Sequence, residues 1–252
     1  MTLEVVVLGC SGTHPGPGRA CSGYLVRSER TQVVLDCGNG STSNLFRVTD
    51  LADVDAVVLS HRHPDHCVDM IGLYYALKFD PAGDRRLDVH APPGTREFLA
   101  QLVDDGDTFG RILRFHDAAP GGTLQIGDLE LTFHDSPHAV PTVAVRVEHH
   151  DGVVAYSADS GGGPGVVDAA RDADLFLCEA SWLGDPADYP QDLHLTARGA
   201  GALGAAALAR RLALVHLWPA NSREQAREEA QQAYSGPVHV AEDLDVYEVG
   251  GD

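Results

Sequence analysis

Six consecutive residues, His61-Arg62-His63-Pro64-Asp65-His66, constrain this chain more than any other feature. They place three imidazoles and a carboxylate in an H-x-H-x-D-H pattern directly after the apolar run Val57-Val58-Leu59-Ser60, which reads as a strand. Imidazole nitrogen and carboxylate oxygen are the usual protein ligands of zinc. His61 and His63 are two apart, so in extended backbone they point the same way, while Asp65 and His66 follow where the chain turns out of the strand. One segment therefore offers two ligands to one metal and two to a neighbouring one. With this content of His and Asp the pattern arises by chance roughly 0.003 times in a chain of this length, so a polar loop with incidental histidines explains it poorly.

Further candidate ligands come after other predicted strands. His138 lies in Asp135-Ser136-Pro137-His138, just after the alternation of Leu129, Leu131 and Phe133. Asp159 lies in Ser157-Ala158-Asp159-Ser160-Gly161, after Val153-Val154, and His216 closes Leu212-Ala213-Leu214-Val215. Loops at strand ends are where enzymes of this build carry their site residues. Each is weak alone; behind the six-residue motif they are better explained as one site.

The pattern periods predict strands at residues 3–8, 23–26, 32–36, 56–59, 87–90, 238–241 and 246–249. Hairpins are expected around Gly127-Asp128 and around His149-His150-Asp151-Gly152. Helices are expected at 41–48, 65–78, 94–103, 196–210 and 222–233, the last opened by a Ser222/Gln225 capping box. His149 and His150 sit in the second hairpin turn and are expected at the surface. His14, on the Gly-rich Cys10–Cys21 loop, lies near the expected cleft. Cys67 is expected to be a small buried residue.

At 252 residues and 44% hydrophobic, the chain can bury an ample core as a single domain, 1–252. No apolar run approaches the ~20 residues of a membrane helix, and Met1-Thr2-Leu3-Glu4 lacks a basic leader region. Five cysteines without a C-x-x-C pair argue against a disulfide framework, so a reducing cytoplasm is expected. The net charge is −19, with Lys78 the sole lysine. No basic face is available for a long polyanion.

The order H-x-H-x-D-H, His138, Ser157-Ala158-Asp159-Ser160-Gly161, His216 resembles the metallo-β-lactamase superfamily, and within it the ribonuclease Z-like branch. Leu8-Gly9-Cys10-Ser11-Gly12, Leu177-Cys178-Glu179-Ala180-Ser181, His194-Leu195-Thr196-Ala197 and Val240-Ala241-Glu242-Asp243 carry the same resemblance, from about Leu3 to Val249. It implies an α/β (α+β) four-layer αββα sandwich with the metals at one edge. It implies that His61, His63, His138 and Asp159 hold one zinc, and Asp65, His66, Asp159 and His216 a second, with Asp159 bridging; manganese and iron are alternatives. It implies catalytic roles for Asp65, which orients or deprotonates the water, and for His194, which protonates the leaving group with Glu179 fixing its tautomer.

The chain is therefore expected to be a metal-dependent hydrolase using a metal-bridging hydroxide. Only 20 residues separate His138 from Asp159, leaving no room for the tRNA-gripping arm that bacterial ribonuclease Z enzymes carry there. The armless chain is similar to small actinobacterial cyclic-nucleotide phosphodiesterases of this fold. A small cyclic phosphodiester such as 3′,5′-cyclic AMP is therefore the expected substrate. The expected partners include neither long nucleic acid nor membrane, and a homodimer is open. The alternatives are a tRNA 3′-processing nuclease, a thioester or lactone hydrolase, and a metal-binding protein without catalysis.

Overall fold

A computed structural model gives the fold; the structure describes residues 3–83 and 85–250. Two seven-stranded sheets are present. The first runs β14 (Val246–Val249), β1 (Leu3–Gly9), β2 (Gly23–Arg27), β3 (Gln32–Leu35), β4 (Ala56–Val58), β5 (Leu87–Ala91), β6 (Leu113–Asp117). The second runs β13 (Val238–Val240), β12 (Leu212–Val215), β11 (Leu175–Glu179), β10 (Gly152–Tyr156), β9 (Val143–His149), β8 (Leu129–Asp135), β7 (Thr123–Ile126). The sequence has no internal repeat, yet the sheets share one plan. β14-β1-β2-β3 and β7-β8-β9-β10 pair antiparallel, and β3-β4-β5-β6 and β10-β11-β12-β13 pair parallel.

Both faces of each sheet are covered, which is why β1, LEVVVLG, and β12, LALV, read as continuous apolar runs rather than alternating ones. Val5, Val7, Tyr24 and Val26 meet Leu131, Val145, Val154 and Tyr156 between the sheets. Val6, Leu8 and Val57 face α1 (Ser41–Val48), α2 (Pro64–Cys67), α3 (Met70–Lys78), α4 (Thr95–Ala100) and α5 (Gly106–Ile112) through Leu45, Cys67, Leu73, Leu99 and Phe109. Ala155, Phe176 and Leu214 face α6 (Pro164–Ala170), α7 (Ala197–Ala206) and α8 (Arg223–Gln231) through Val166, Ala200 and Ala226. This is the expected αββα order.

The helix expected over 65–78 is broken into α2 and α3. The reason is hydrogen bonding at the break. Asp69 N–H leaves the helical ladder to bond Cys37 O at 3.0 Å, and Cys37 N–H bonds His66 O at 2.7 Å. The Asp69 carboxylate accepts from Gly40 and Thr42 N–H at 2.9 and 3.0 Å. The motif segment is thereby stitched to the β3–α1 loop. At α8, Ser222 caps Gln225 N–H, but the Gln225 side chain bonds Glu229 instead, so half of the capping box forms. Cys67 is buried, as are the other four cysteines, all free thiols. Among the described residues no helix is long and apolar enough to cross a membrane.

Candidate active site

Every candidate ligand projects from the same edge of the sandwich, just past a strand C-terminus. His61, His63, Asp65 and His66 come after β4, His138 after β8, Asp159 after β10 and His216 after β12. Glu179 ends β11, and His194 lies in the loop between β11 and α7.

The structure brings the seven candidate ligands into two abutting groups. In the first, His63 Nδ1 stands 3.0 Å from His61 Nε2 and 3.1 Å from His138 Nε2. Asp159 Oδ2 closes the group at 3.7 Å from His61 Nε2 and 3.8 Å from His138 Nε2. In the second, Asp159 Oδ1 lies 3.1 Å from His66 Nε2 and 3.3 Å from His216 Nε2. Asp65 Oδ2 lies 3.2 Å from His216 Nε2 and 3.6 Å from His66 Nε2. Four ligands at ~2.0–2.1 Å around a tetrahedral ion stand ~3.3 Å apart, so both groups have the right span. The two oxygens of Asp159 face different groups.

The ring orientations are fixed from behind. His66 Nδ1 donates to Asp36 Oδ2 at 2.7 Å, and this wholly buried carboxylate also accepts from Ser60 N–H, Ser60 Oγ and Tyr156 Oη at 2.6–2.7 Å. Because Ser60 Oγ donates to Asp36, it accepts from His61 Nδ1, 3.0 Å away. Ser181 Oγ donates to Glu179 and by the same logic accepts from His216 Nδ1 at 2.8 Å. His138 Nδ1 donates to Leu193 O at 2.8 Å. Four imidazoles are thus held as Nδ1–H tautomers with Nε2 turned to the cluster, and His63 alone presents Nδ1. Such outer carboxylate and hydroxyl partners orient metal ligands generally. Asp36, Ser60 and Ser181 were not among the expected site residues. Asp36 stands at the end of the β3 run, the same strand-end position that marks the ligands.

Electrostatics favour a cation here. Burial, reinforced by neighbouring imidazoles, holds His61 well below its ordinary range, and burial likewise lowers His63 and His138. At His66 burial works downward but is outweighed by Asp159 and Asp36, so its pKa is raised. At Asp65 burial works upward but is outweighed by the His216 hydrogen bond and the charges of His66 and His216, so it is lowered. His66 Nε2 and Asp159 Oδ1 are buried without a hydrogen-bond partner. Orphaned buried polar atoms beside His61, His63 and His138, whose charged forms are disfavoured, are what a divalent ion would satisfy, so the residues present fit a metal.

Beside the cluster, wholly buried Glu179 accepts five hydrogen bonds. Oε1 takes Ser160 N–H at 2.7 Å and His194 Nδ1 at 2.9 Å; Oε2 takes Ser181 N–H, Ser181 Oγ and Leu195 N–H at 2.8–3.2 Å. His194 Nε2 is left for another partner. Burial works against the His194 imidazolium, but the Glu179 hydrogen bond and charge outweigh it and raise its pKa. On the opposite side, Thr13 N–H donates to Asp65 Oδ2 at 2.9 Å from the Gly-rich loop. Gly12 lets that loop approach, since a Cβ there would stand 2.4 Å from His216 O.

His14 of that loop is exposed and joins no ligand group. His149 corrects an expectation: its side chain is 2% exposed, lodged between Asp128 and Asp151 at 3.4 and 3.3 Å, while His150 is 78% exposed. The hairpin turn folds its first histidine back against the neighbouring β7–β8 turn.

Residues 31–217 match the family described as Beta-lactamase superfamily domain. The chain is 35% identical to the uncharacterized protein Rv1339 of Mycobacterium tuberculosis over 99% of its own length and 93% of the relative's. It is 30% identical to the probable metallo-hydrolase YhfI of Bacillus subtilis, over 98% of this chain and all of YhfI. The YhfI crystal structure superposes with a TM-score of 0.89 over 98% of this chain and 100% of that one. Ribonuclease Z of Halorubrum lacusprofundi is 28% identical over 99% of this chain and 98% of that protein. The chain belongs to the metallo-β-lactamase superfamily and is a metal-dependent hydrolase.

Proposed function

We propose that the chain is a dinuclear zinc phosphodiesterase acting on a small nucleotide diester such as 3′,5′-cyclic AMP. The observation that carries the proposal is the buried Glu179–His194 pair, 2.9 Å apart and set against the ligand cluster. An alkoxide leaving a phosphodiester needs a proton, whereas a thiolate or an activated amide needs one far less. A histidine held as imidazolium by a carboxylate, with Nε2 open, supplies that proton. Asp65 is placed to orient or accept from the attacking water. Two divalent ions, held by His61, His63, His138 and Asp159 and by Asp65, His66, Asp159 and His216, would acidify that water and offset the phosphoryl charge. Among the proposed ligands only Asp65 and Asp159 carry negative charge against those four positive charges, which leaves room for a hydroxide and one anionic diester.

The size of the substrate is argued from what surrounds the site. β9 and β10, joined by a tight turn, occupy most of the 20 residues between His138 and Asp159. With 37 acidic against 18 basic residues, long RNA has no counter-charge to follow. The five buried thiols support a reducing, cytoplasmic setting. A tRNA-processing reading is supported by the relatives named ribonuclease Z. Protein of measured metal content assayed on cyclic AMP, bis-p-nitrophenyl phosphate, a pre-tRNA and a thioester separates these readings. Turnover of cyclic AMP without trailer cleavage is expected. Efficient trailer cleavage with no cyclic-nucleotide turnover would overturn the proposal.

A further inference from the structure

Between β11 and α7 the chain makes a closed excursion. Its ends are zipped at Trp182 and Thr196, where Trp182 N–H bonds Leu195 O at 3.1 Å and Ala197 N–H bonds Trp182 O at 2.9 Å. Loop and first turns of α7 together wall a cavity of about 310 Å³ beside His194. That is the low end for small-molecule sites, about 300–1,000 Å³. Trp182, 5% exposed, sits at its inner end with the indole N–H unpartnered. It stacks on Tyr189 at 4.5 Å and meets His194 edge-on at 5.2 Å. The loop is pressed onto the Asp159 turn: a Cβ on Gly161 would stand 2.3 Å from Asp192 Cα. The same loop therefore carries the proton donor, contacts the ligand turn and walls the cavity.

We infer that this cavity is the leaving-group subsite and that it accepts an uncharged nucleoside. That the leaving group enters on this side rests on the phosphodiesterase reading, because the group that His194 protonates must lie against His194. The chemistry of the occupant comes from the walls. Pro186, Pro190 and Leu195 give flat apolar surface, and Gln191, Arg198 and Asp192 give donors and an acceptor for hydroxyls and base edges. Arg198 gives one N–H to the neutral Gln232 and keeps its charge, which the Asp192 carboxylate of the same wall offsets, so the wall has no net positive charge for a second phosphate. A neutral ribose and base satisfy this wall; a leaving group with a terminal phosphate does not.

The test uses the metal-loaded full chain with Trp218→Phe, which leaves Trp182 as the one tryptophan of two. Adenosine titration should change Trp182 emission saturably. Ala202→Phe, at an exposed position on the cavity mouth, should weaken that binding about tenfold. It should lower kcat/KM for cyclic AMP by a similar factor and leave the metal content unchanged. Asp192→Asn, at a φ of 57° that Asn adopts readily, should gain up to about fivefold in affinity for adenosine 3′-phosphate. No adenosine-dependent change in Trp182 emission, or an Ala202→Phe chain that binds adenosine as tightly as the unaltered one, would overturn the subsite. If the unaltered site does not hydrolyse cyclic AMP, the phosphodiesterase reading fails by itself, and the adenosine titration still decides the subsite.

Discussion

Replacing Glu179 by Gln tests the proton-donor assignment at its most exposed point. Three donors, Ser181 N–H, Ser181 Oγ and Leu195 N–H, converge on Oε2, and two, Ser160 N–H and His194 Nδ1, on Oε1. The Gln oxygen therefore settles toward the three. Its amide NH₂ then faces His194 Nδ1, which must accept rather than donate, and the ring is driven to the neutral Nε2–H tautomer. A charge-assisted hydrogen bond is worth ~1.5–3 kcal/mol, and 1.36 kcal/mol corresponds to one pKa unit. The His194 pKa, raised in the native protein, should fall by about one to two units. The sign is fixed: the imidazolium is the acid, so activity is present below its pKa and lost as pH rises through it. The native basic limb should lie above the ordinary histidine value of about 6.5, and Glu179→Gln should move it toward acid by that one to two units. The assay is kcat/KM against pH for a diester with an alkyl leaving group, with a p-nitrophenyl diester as reference. At neutral pH the alkyl ester should lose up to the ~10²–10⁴ of a general acid, and the nitrophenyl ester far less. An unmoved basic limb, or equal losses on the two esters, would refute the assignment.

Elemental analysis should find about two metal equivalents per chain, and Asp159→Ala should weaken both sites because each group takes one of its oxygens; full double occupancy would sink the bridging assignment. Asp36→Ala should cut metal affinity by about 10–100-fold without touching a ligand, read by competition with a chelator, because His66 loses its acceptor. The ionic-strength dependence of kcat/KM for cyclic AMP should be shallow, far below the ~0.7–0.9 log units per phosphate contact of a polyanion binder; a steep slope would restore the tRNA reading.

The parts legible in the sequence are those in which one residue type answers one local demand. The ligand motif is such a case, as are the two-sided apolar strands β1 and β12; Glu179 and His194 are legible through the family resemblance. The hidden parts depend on contacts far apart in the chain. Asp36 looks like any polar residue closing a strand until Tyr156, 120 positions later, lays its hydroxyl on it. α5, GDTFGRI, buries only Phe109 and β6 is a largely exposed edge strand, so neither has a period to detect. The break between α2 and α3 is written in Cys37, not in the helix.

The shared plan of the two sheets explains why distant residues meet at all. In each half the parallel strands β3–β6 and β10–β13 point their C-terminal ends to one edge of the sandwich, and loops leaving such ends carry the candidate ligands. One half supplies His61, His63, Asp65 and His66; the other supplies His138, Asp159, Glu179, His194 and His216. Neither half completes either of the two Asp159-sharing groups by itself, because each of these draws on β4 and on β8, β10 or β12. Packing of Val5, Val7 and Tyr24 against Val145, Val154 and Tyr156 therefore sets the distance between ligands. Enlarging the inter-sheet core, as in Val154→Phe, should loosen metal binding before it unfolds the chain, an order that chelator competition and thermal melting would reveal together.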